Sequence, residues 1–191
     1  MRKRIIWAMM FAIALGFWLS GMPSTFADTV ELTETYIIPG FGFSIDLPAD
    51  WTVLTDGPVL QARGVVLSDS EDGTAYLVGI AIDHRSRQWL KENRGLPLDA
   101  TLEDLVEFNK RVTSLGELEL FEVTEVEIFG VPALRTKSQV KDAGGPGIMY
   151  QGFKDDEAFL IAFGTGSEEE YGDFLPIWNK ILESIRPVDE E

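Results

Sequence analysis

The sequence predicts an α+β domain, in which a mainly antiparallel sheet is covered by helices. Three observations lead to this fold class. Most of the chain after residue 35 consists of short runs rich in β-branched and aromatic residues. Short turn-like stretches separate most of these runs, as expected for hairpins. Two segments instead repeat apolar residues at helical spacing, one in the middle and one near the end. Layered packing of helices on a sheet follows from this order.

Residues 1–27 have the layout of a secretory signal peptide. Three basic residues, Arg2, Lys3 and Arg4, precede the uncharged apolar run from Ile5 to Leu19. Thr25 and Ala27 then suit a cleavage site before Asp28. The apolar run is shorter than a typical membrane span, and an uncleaved N-terminal anchor is the alternative. Because the chain has no cysteine, it has no site for lipoprotein acylation.

The first half of the remaining chain reads as strands joined by turns. Within 41–47, Phe41, Phe43, Ile45 and Leu47 alternate with small or polar residues, which is the period of a half-buried strand. Pro48 ends this strand because it lacks a backbone N–H. The predicted strands are Tyr36–Ile38, Phe41–Leu47, Trp51–Leu54, Val59–Ser68 and Ala75–Ile82.

An irregular connection is predicted over 83–100, followed by the first helix. Thr101 is suited to cap this helix, and Glu103 and Asp104 are favourable in its first turn. The helical spacing of apolar residues continues to Gly116, where the helix should end.

The second half returns to strands and ends in a second helix. The predicted strands are Phe121–Ile128, Ala133–Val140, Ile148–Lys154 and Ala158–Phe163. Ser167 and Glu170 form a capping-box pattern. Because proline breaks helix interiors, Pro176 is placed in the first turn of a main helix capped by Asp173. Pro187 should stop that helix, leaving residues 188–191 as an acidic tail.

The charge of the chain is strongly negative. Residues 1–27 hold three of the 16 basic residues and none of the 32 acidic ones, so their removal changes the formal net charge from −16 to −19. Such a surface repels nucleic acids and anionic lipid headgroups. It favours solubility, and it would also attract cations or a basic partner.

Four stretches of this chain resemble the PsbP-like family, whose fold is shared with the Mog family of Ran-binding proteins. They are FSIDLPADW (43–51), VTEVEIFGVPALRT (123–136), AFLIAFGTG (158–166) and ILESIRP (181–187). The resemblance covers 36–187. It implies an α/β/α sandwich with a central antiparallel sheet, and one PsbP-like domain over 28–187.

The resemblance also implies a mostly non-enzymatic protein. Members include an extrinsic luminal protein of photosystem II, periplasmic proteins such as DcrB, and chaperone-like proteins that bind hydrophobic helices. Cyanobacterial relatives of the photosystem protein usually carry a lipidated cysteine, which this chain lacks. This departure argues against a photosystem role. Together with the signal-peptide layout, the resemblance favours an exported accessory or assembly factor, periplasmic or extracellular, that binds an envelope or membrane-associated protein.

Few residues point to chemistry. His84, the single histidine, could bind a metal or relay a proton with Asp83, although a surface position is the more common role. Ser167 better fits a helix cap than a nucleophile, and no Gly-x-Ser-x-Gly motif is present. Trp51 is expected to cover the core or the sheet edge rather than to stack on a ligand. No cofactor and no catalytic residue are predicted. A module that binds a cation, calcium or manganese, or a small ligand is the alternative function.

Two candidate binding sites remain. Asp69, Glu71 and Asp72 could form a calcium or manganese site before Gly73, although their spacing departs from that of an EF-hand loop.

The second candidate is an apolar patch in the 83–100 connection. It would use Trp89, Leu90 and Leu96 to bind a partner protein. The alternative is a connection folded over the sheet.

Overall fold

The computed structural model describes residues 30–38, 40–67, 75–114, 118–140 and 145–188. The predicted signal peptide, the candidate metal ligands Asp69, Glu71 and Asp72, and residues 189–191 of the acidic tail lie outside these residues.

Within these described ranges, ten strands form two antiparallel sheets. A three-stranded sheet has the order β1-β2-β10, and a seven-stranded sheet has the order β3-β4-β5-β9-β8-β7-β6. The strands are β1 Glu34–Ile38, β2 Phe43–Leu47, β3 Thr52–Asp56, β4 Val59–Leu67, β5 Ala75–Ser86, β6 Leu118–Ile128, β7 Val131–Val140, β8 Pro146–Lys154, β9 Glu157–Gly164 and β10 Arg186–Pro187. All nine of the predicted strands are therefore present, with shifted ends.

In the same part of the chain, three helices cover the large sheet. They are α1 Arg87–Arg94, α2 Leu102–Ser114 and α3 Glu168–Glu183. The predicted cap of α2 is confirmed, since the backbone N–H of Thr101 donates to Asp104 Oδ2 at 2.8 Å and the N–H of Asp104 reaches Thr101 Oγ1 at 3.5 Å.

The large sheet separates two hydrophobic layers. Successive side chains of a strand point to opposite faces, and β8 shows this alternation. Ile148 and Tyr150 belong to a core shared with α3 and the three-stranded sheet. Gln151 instead faces α2, where it accepts a hydrogen bond from Asn109 at 2.7 Å. Leu134 packs with residues between α1 and α2 in a second cluster. The architecture is therefore an α+β fold arranged as an α/β/α sandwich, as predicted.

An ion pair joins β10, the last strand along the chain, to β2 near its beginning. The Arg186 guanidinium on β10 contacts both carboxylate oxygens of Asp46 on β2, at 2.7 and 3.0 Å. These hydrogen bonds hold the pKa of Asp46 below its ordinary value. The last strand is thereby fixed against the second one.

The prediction of an irregular connection over 83–100 is wrong for its first part. Strand β5 continues through Asp83 to Ser86, where Ser86 pairs with Glu157 of β9. Helix α1 then begins, with the Ser86 hydroxyl accepting from the N–H of Trp89, and it ends at Gly95 in the left-handed conformation. Residues 83–86 are all polar, so no alternation of apolar residues indicated a strand there. Helix α1 has only eight residues, too few for a clear helical period.

The prediction that the last helix begins at Asp173 is also wrong. Helix α3 runs without interruption from Glu168 to Glu183 and contains Pro176. Ser167 caps it as predicted, accepting from the N–H of Glu170 at 3.1 Å. Pro176 and Gly172 are both exposed. Pro176 has no N–H to donate to the carbonyl of Gly172, so this carbonyl lacks its helical hydrogen bond. Because both residues are exposed, water can take the place of the missing donor.

Candidate functional site

An open cleft of about 760 Å³ lies at one end of the sandwich. Four segments meet there: the β1–β2 turn, the β6–β7 turn, the end of β8, and the stretch from the last turn of α3 to β10. The cleft is lined by Phe41, Gly42, Phe43, Glu127, Ile128, Phe129, Gly130, Lys154, Leu182, Ile185 and Pro187. Most of these side chains are apolar. A concave surface of this size and lining is typical of small-molecule sites.

Packed aromatic rings form one wall of the cleft. The ring centroid of Phe129 lies 4.3 Å from that of Phe43, 5.2 Å from that of Phe41 and 5.0 Å from that of Phe159. Phe41 and Phe159 meet it edge-on, at interplanar angles of 80° and 83°. The other three rings thus all contact Phe129. Offset and edge-on arrangements are the favourable geometries for aromatic pairs.

Phe129 occupies an unusual backbone position. It is the first residue of the two-residue turn between β6 and β7, with φ +58°, and Gly130 follows with φ +73°. Such turns require positive φ at both positions and favour Asn, Asp or Gly at the first one. For a bulky residue this conformation costs roughly 1–2 kcal/mol. The ring packing just described offsets that cost.

One cation faces the aromatic wall. The Lys154 ammonium lies 5.6 Å from the ring centroid of Phe43 and 3.0 Å from Asp155 Oδ2. Its side chain is 30% exposed, whereas Asp155 is almost fully exposed. The acid of the cleft, Glu127, is exposed to solvent. The polar groups of the cleft therefore stand at its rim, above an apolar floor.

His84 is buried beneath this aromatic wall. The sequence favours a surface position, the more common one for such a histidine, and the structure differs from it. The residue is 6% exposed. Its Nδ1 lies 2.7 Å from Glu157 Oε2, and its ring stacks on Phe41 with centroids 5.1 Å apart. His84 therefore supports Phe41 from below.

Asp83, the predicted partner of His84, points to the other face of the sheet. It is buried on the α1 side, with Oδ1 2.9 Å from Arg85 Nε. Burial raises the pKa of the Asp83 carboxyl, and the nearby Arg85 acts in the opposite direction. Because adjacent strand residues face opposite ways, Asp83 and His84 do not form one site.

Helix α1 carries two of the predicted partner-binding residues, Trp89 and Leu90, whereas Leu96 follows the helix. Trp89 is partly exposed, with the guanidinium carbons of Arg85 and Arg94 at 4.9 and 5.5 Å from its ring centroid. Leu90 is partly buried against the second cluster. Leu96 is 5% exposed and belongs to the core of that cluster. Leu96 is therefore not available at the surface.

Basic residues concentrate around α1. Residues 85–111 contain six of the 13 basic residues that follow Ala27: Arg85, Arg87, Lys91, Arg94, Lys110 and Arg111. Arg87 is engaged, since its Nη1 donates to the carbonyls of Leu98 and Ala100 at 3.2 and 2.8 Å. Lys91 is exposed. We call Arg85, Trp89, Lys91 and Arg94 the α1 surface. It is a basic region on a strongly acidic chain.

Within the described part of the chain, no group of three or more His, Asp or Glu side chains is placed to hold a metal ion. None of the helices in that part is both long and apolar enough to cross a membrane.

Sequence reasoning did not identify the cleft. Phe43 and Phe129 are read from the sequence as ordinary strand and turn residues, and Lys154 as the end of a strand. One signal was present: a phenylalanine immediately before glycine in a two-residue turn, where Asn or Asp is preferred.

No family model and no curated protein matches the chain by sequence. Among solved structures, cyanobacterial PsbP (CyanoP) from Synechocystis sp. PCC 6803 is similar with a TM-score of 0.50 and 14% identity, over 81% of this chain and 92% of that one.

Two further solved structures are similar at lower TM-scores. Protein PA94 of Pseudomonas aeruginosa gives 0.48 at 15% identity, over 82% of this chain and 98% of that one. A Bacteroides thetaiotaomicron protein gives 0.46 at 12% identity over 84% of this chain, which spans about half of that protein's length. The similarity to CyanoP confirms the predicted resemblance for the fold: the chain has a PsbP-like α/β/α sandwich.

Proposed function

We propose that this protein acts by binding and not by catalysis, as an exported accessory or assembly factor for an envelope or membrane-associated protein. The PsbP-like fold supports this proposal, because the structural neighbour CyanoP has the same architecture. The signal-peptide layout of residues 1–27 supports a periplasmic or extracellular location.

The α1 surface is the proposed docking surface, and its charge is the observation that carries the proposal. The chain after Ala27 is strongly acidic, yet four basic residues lie between 85 and 94, with Glu92 as the one acid there. The guanidinium groups of Arg85 and Arg94 both lie close to the Trp89 ring. Tryptophan and arginine are the residue types enriched where protein interfaces gain most of their energy. An envelope protein that presents acidic side chains would complement this surface.

A charge reversal tests the proposal. The full chain is expressed with its own N-terminal segment and a C-terminal tag, and the exported form is used to capture proteins from envelope extracts. The expected result is a reproducible envelope protein whose capture falls roughly fivefold with Lys91→Glu, which corresponds to about 1 kcal/mol.

Lys180→Glu is the matched control. Lys180 is also an exposed lysine in the last turn of a helix, on α3, so it changes the net charge and the helix end in the same way. Equal capture by both variants and by the unchanged protein would contradict docking at the α1 surface. Turnover of a specific substrate by the purified protein would contradict the non-catalytic role.

A cation-binding module remains the alternative. It rests on the charge of −19 and on Asp69, Glu71 and Asp72, which lie outside the described residues. Calorimetric titration with calcium and manganese tests it, and no heat of binding at millimolar concentrations would remove it.

A further inference from the structure

We infer that the cleft between the β1–β2 and β6–β7 turns is a binding site for a small amphipathic molecule that has an apolar body and one carboxylate. This inference is independent of the α1 surface, which lies on the other side of the large sheet, so the two can fail separately.

The cleft has the composition that an apolar body requires. Its volume of about 760 Å³ falls within the range of roughly 300–1,000 Å³ found for small-molecule sites. Phe129, Leu182 and Ile185, which are partly exposed, present aromatic and branched aliphatic carbon to it. An apolar chain that enters would remove this carbon surface from water, which is favourable in proportion to the area buried.

The backbone at Phe129 is a second, independent observation. A large aromatic residue stands at a turn position with φ +58°, where Asn or Gly would fit without strain. Unfavourable backbone conformations of this kind cluster at functional sites, where the surrounding structure holds them. Here the ring contacts to Phe41, Phe43 and Phe159 hold Phe129. These contacts keep Phe129 in the wall of the cleft despite its backbone strain.

Lys154 selects the charge of the ligand. It is the one cation among the residues that line the cleft in the described part of the chain. Its present partner, Asp155, is 85% exposed, and exposed pairs of this kind are weak and exchange readily. A ligand carboxylate at the rim would meet the Lys154 ammonium while the apolar body covers the partly exposed ring of Phe129. Glu127 disfavours a second negative charge, so a monocarboxylate fits best.

The test uses octanoate as the probe and 1-octanol as its uncharged counterpart. The exported form purified from cells that express the full chain is titrated, and the amide NMR signals of Gly42 and Gly130 are followed. We expect saturable shifts of both glycines with octanoate, and affinity for octanoate about fivefold greater than for octanol. No saturable shift up to about 10 mM octanoate would overturn the inference.

Two variants separate the wall from the charge. Phe129→Asn removes the ring but suits the turn, so the protein should stay folded while affinity for both probes falls about tenfold. Lys154→Gln should lower the affinity for octanoate about fivefold and leave the affinity for octanol unchanged.

Lys137→Gln is the matched control for Lys154. Lys137 is also a partly exposed strand lysine, paired with Glu168 at 3.2 Å and placed 4.4 Å from the ring centroid of Tyr171, but it lies away from the cleft. This control should bind both probes like the unchanged protein. Full octanoate binding by a folded Phe129→Asn variant, or equal effects of Lys154→Gln and Lys137→Gln, would overturn the inference.

Discussion

At the scale of single residues, the contact between Trp51 and Gly64 explains how the first strands meet. Trp51 follows the turn at Pro48 and is 5% exposed. Its indole lies against the backbone of Gly64 on β4 so closely that a Cβ on Gly64 would come within 2.0 Å of the ring. The other side of the ring faces Phe174 of α3, with centroids 6.1 Å apart. Gly64 therefore leaves the space that Trp51 fills.

Gly64→Ala should consequently destabilise the protein. The added methyl group meets a fully packed indole ring rather than a flexible chain end, and overpacking of this kind costs about 1–3 kcal/mol. Urea unfolding followed by tryptophan fluorescence measures the change. Gly79→Ala on β5 is the control, because a Cβ there meets nothing within 4 Å. Similar unfolding midpoints for the two variants would contradict this role of Gly64.

At the scale of elements, helix α3 shows how tertiary packing overrides a local rule. Its apolar stripe places Phe174, Trp178 and Ile181 in the core, each with no exposed surface. Residues on both sides of Pro176 thus belong to one buried face, and continuing the helix keeps all of them in place. The burial of several large side chains outweighs the roughly 3 kcal/mol that an interior proline costs.

Pro176→Ala should stabilise the protein by about 1–3 kcal/mol, because it restores the hydrogen bond to the carbonyl of Gly172. Flexibility gained by the unfolded chain offsets part of this gain. Thermal unfolding followed by circular dichroism provides the measurement. Asn179→Ala, at another exposed position of α3, should change stability by about 0.5 kcal/mol or less. A lower melting temperature for Pro176→Ala would contradict this prediction and would mean that the proline stabilises the helix.

At the scale of the whole molecule, negative charge is the dominant property. The predicted mature chain carries −19, whereas residues 85–94 carry a local excess of positive charge. Like charges repel one another more strongly in a compact state than in an extended chain. The folded state therefore bears an electrostatic cost that salt reduces by screening.

We therefore expect the melting temperature to rise as sodium chloride increases from about 20 mM to about 500 mM. A variant with both Lys91→Glu and Lys180→Glu makes the net charge more negative by four and should show a steeper rise. Differential scanning calorimetry at constant pH checks both expectations. A melting temperature that falls with salt would mean that attractive pairs, such as the one between Asp46 and Arg186, outweigh the general repulsion.

The candidate sites were less predictable than the elements. The period of two in Phe43–Leu47 and the helical stripe of Phe174, Trp178 and Ile181 are properties of neighbouring residues, so local reasoning finds them. The cleft joins side chains from Phe41 to Pro187 across several turns. No local pattern encodes that encounter, because the turns come together only when the sheets pack.

The sequence by itself determined the succession of strands along the chain, the two long amphipathic helices, the cap at Ser167 and the negative charge. Each of these depends on short-range spacing or on composition. Only the tertiary structure decided that His84 is buried beneath Phe41, that Leu96 belongs to the core and that Pro176 lies inside a helix. All three depend on apolar surface contributed by residues distant in the sequence. For His84 and Pro176 its burial also outweighed the preference of the local sequence.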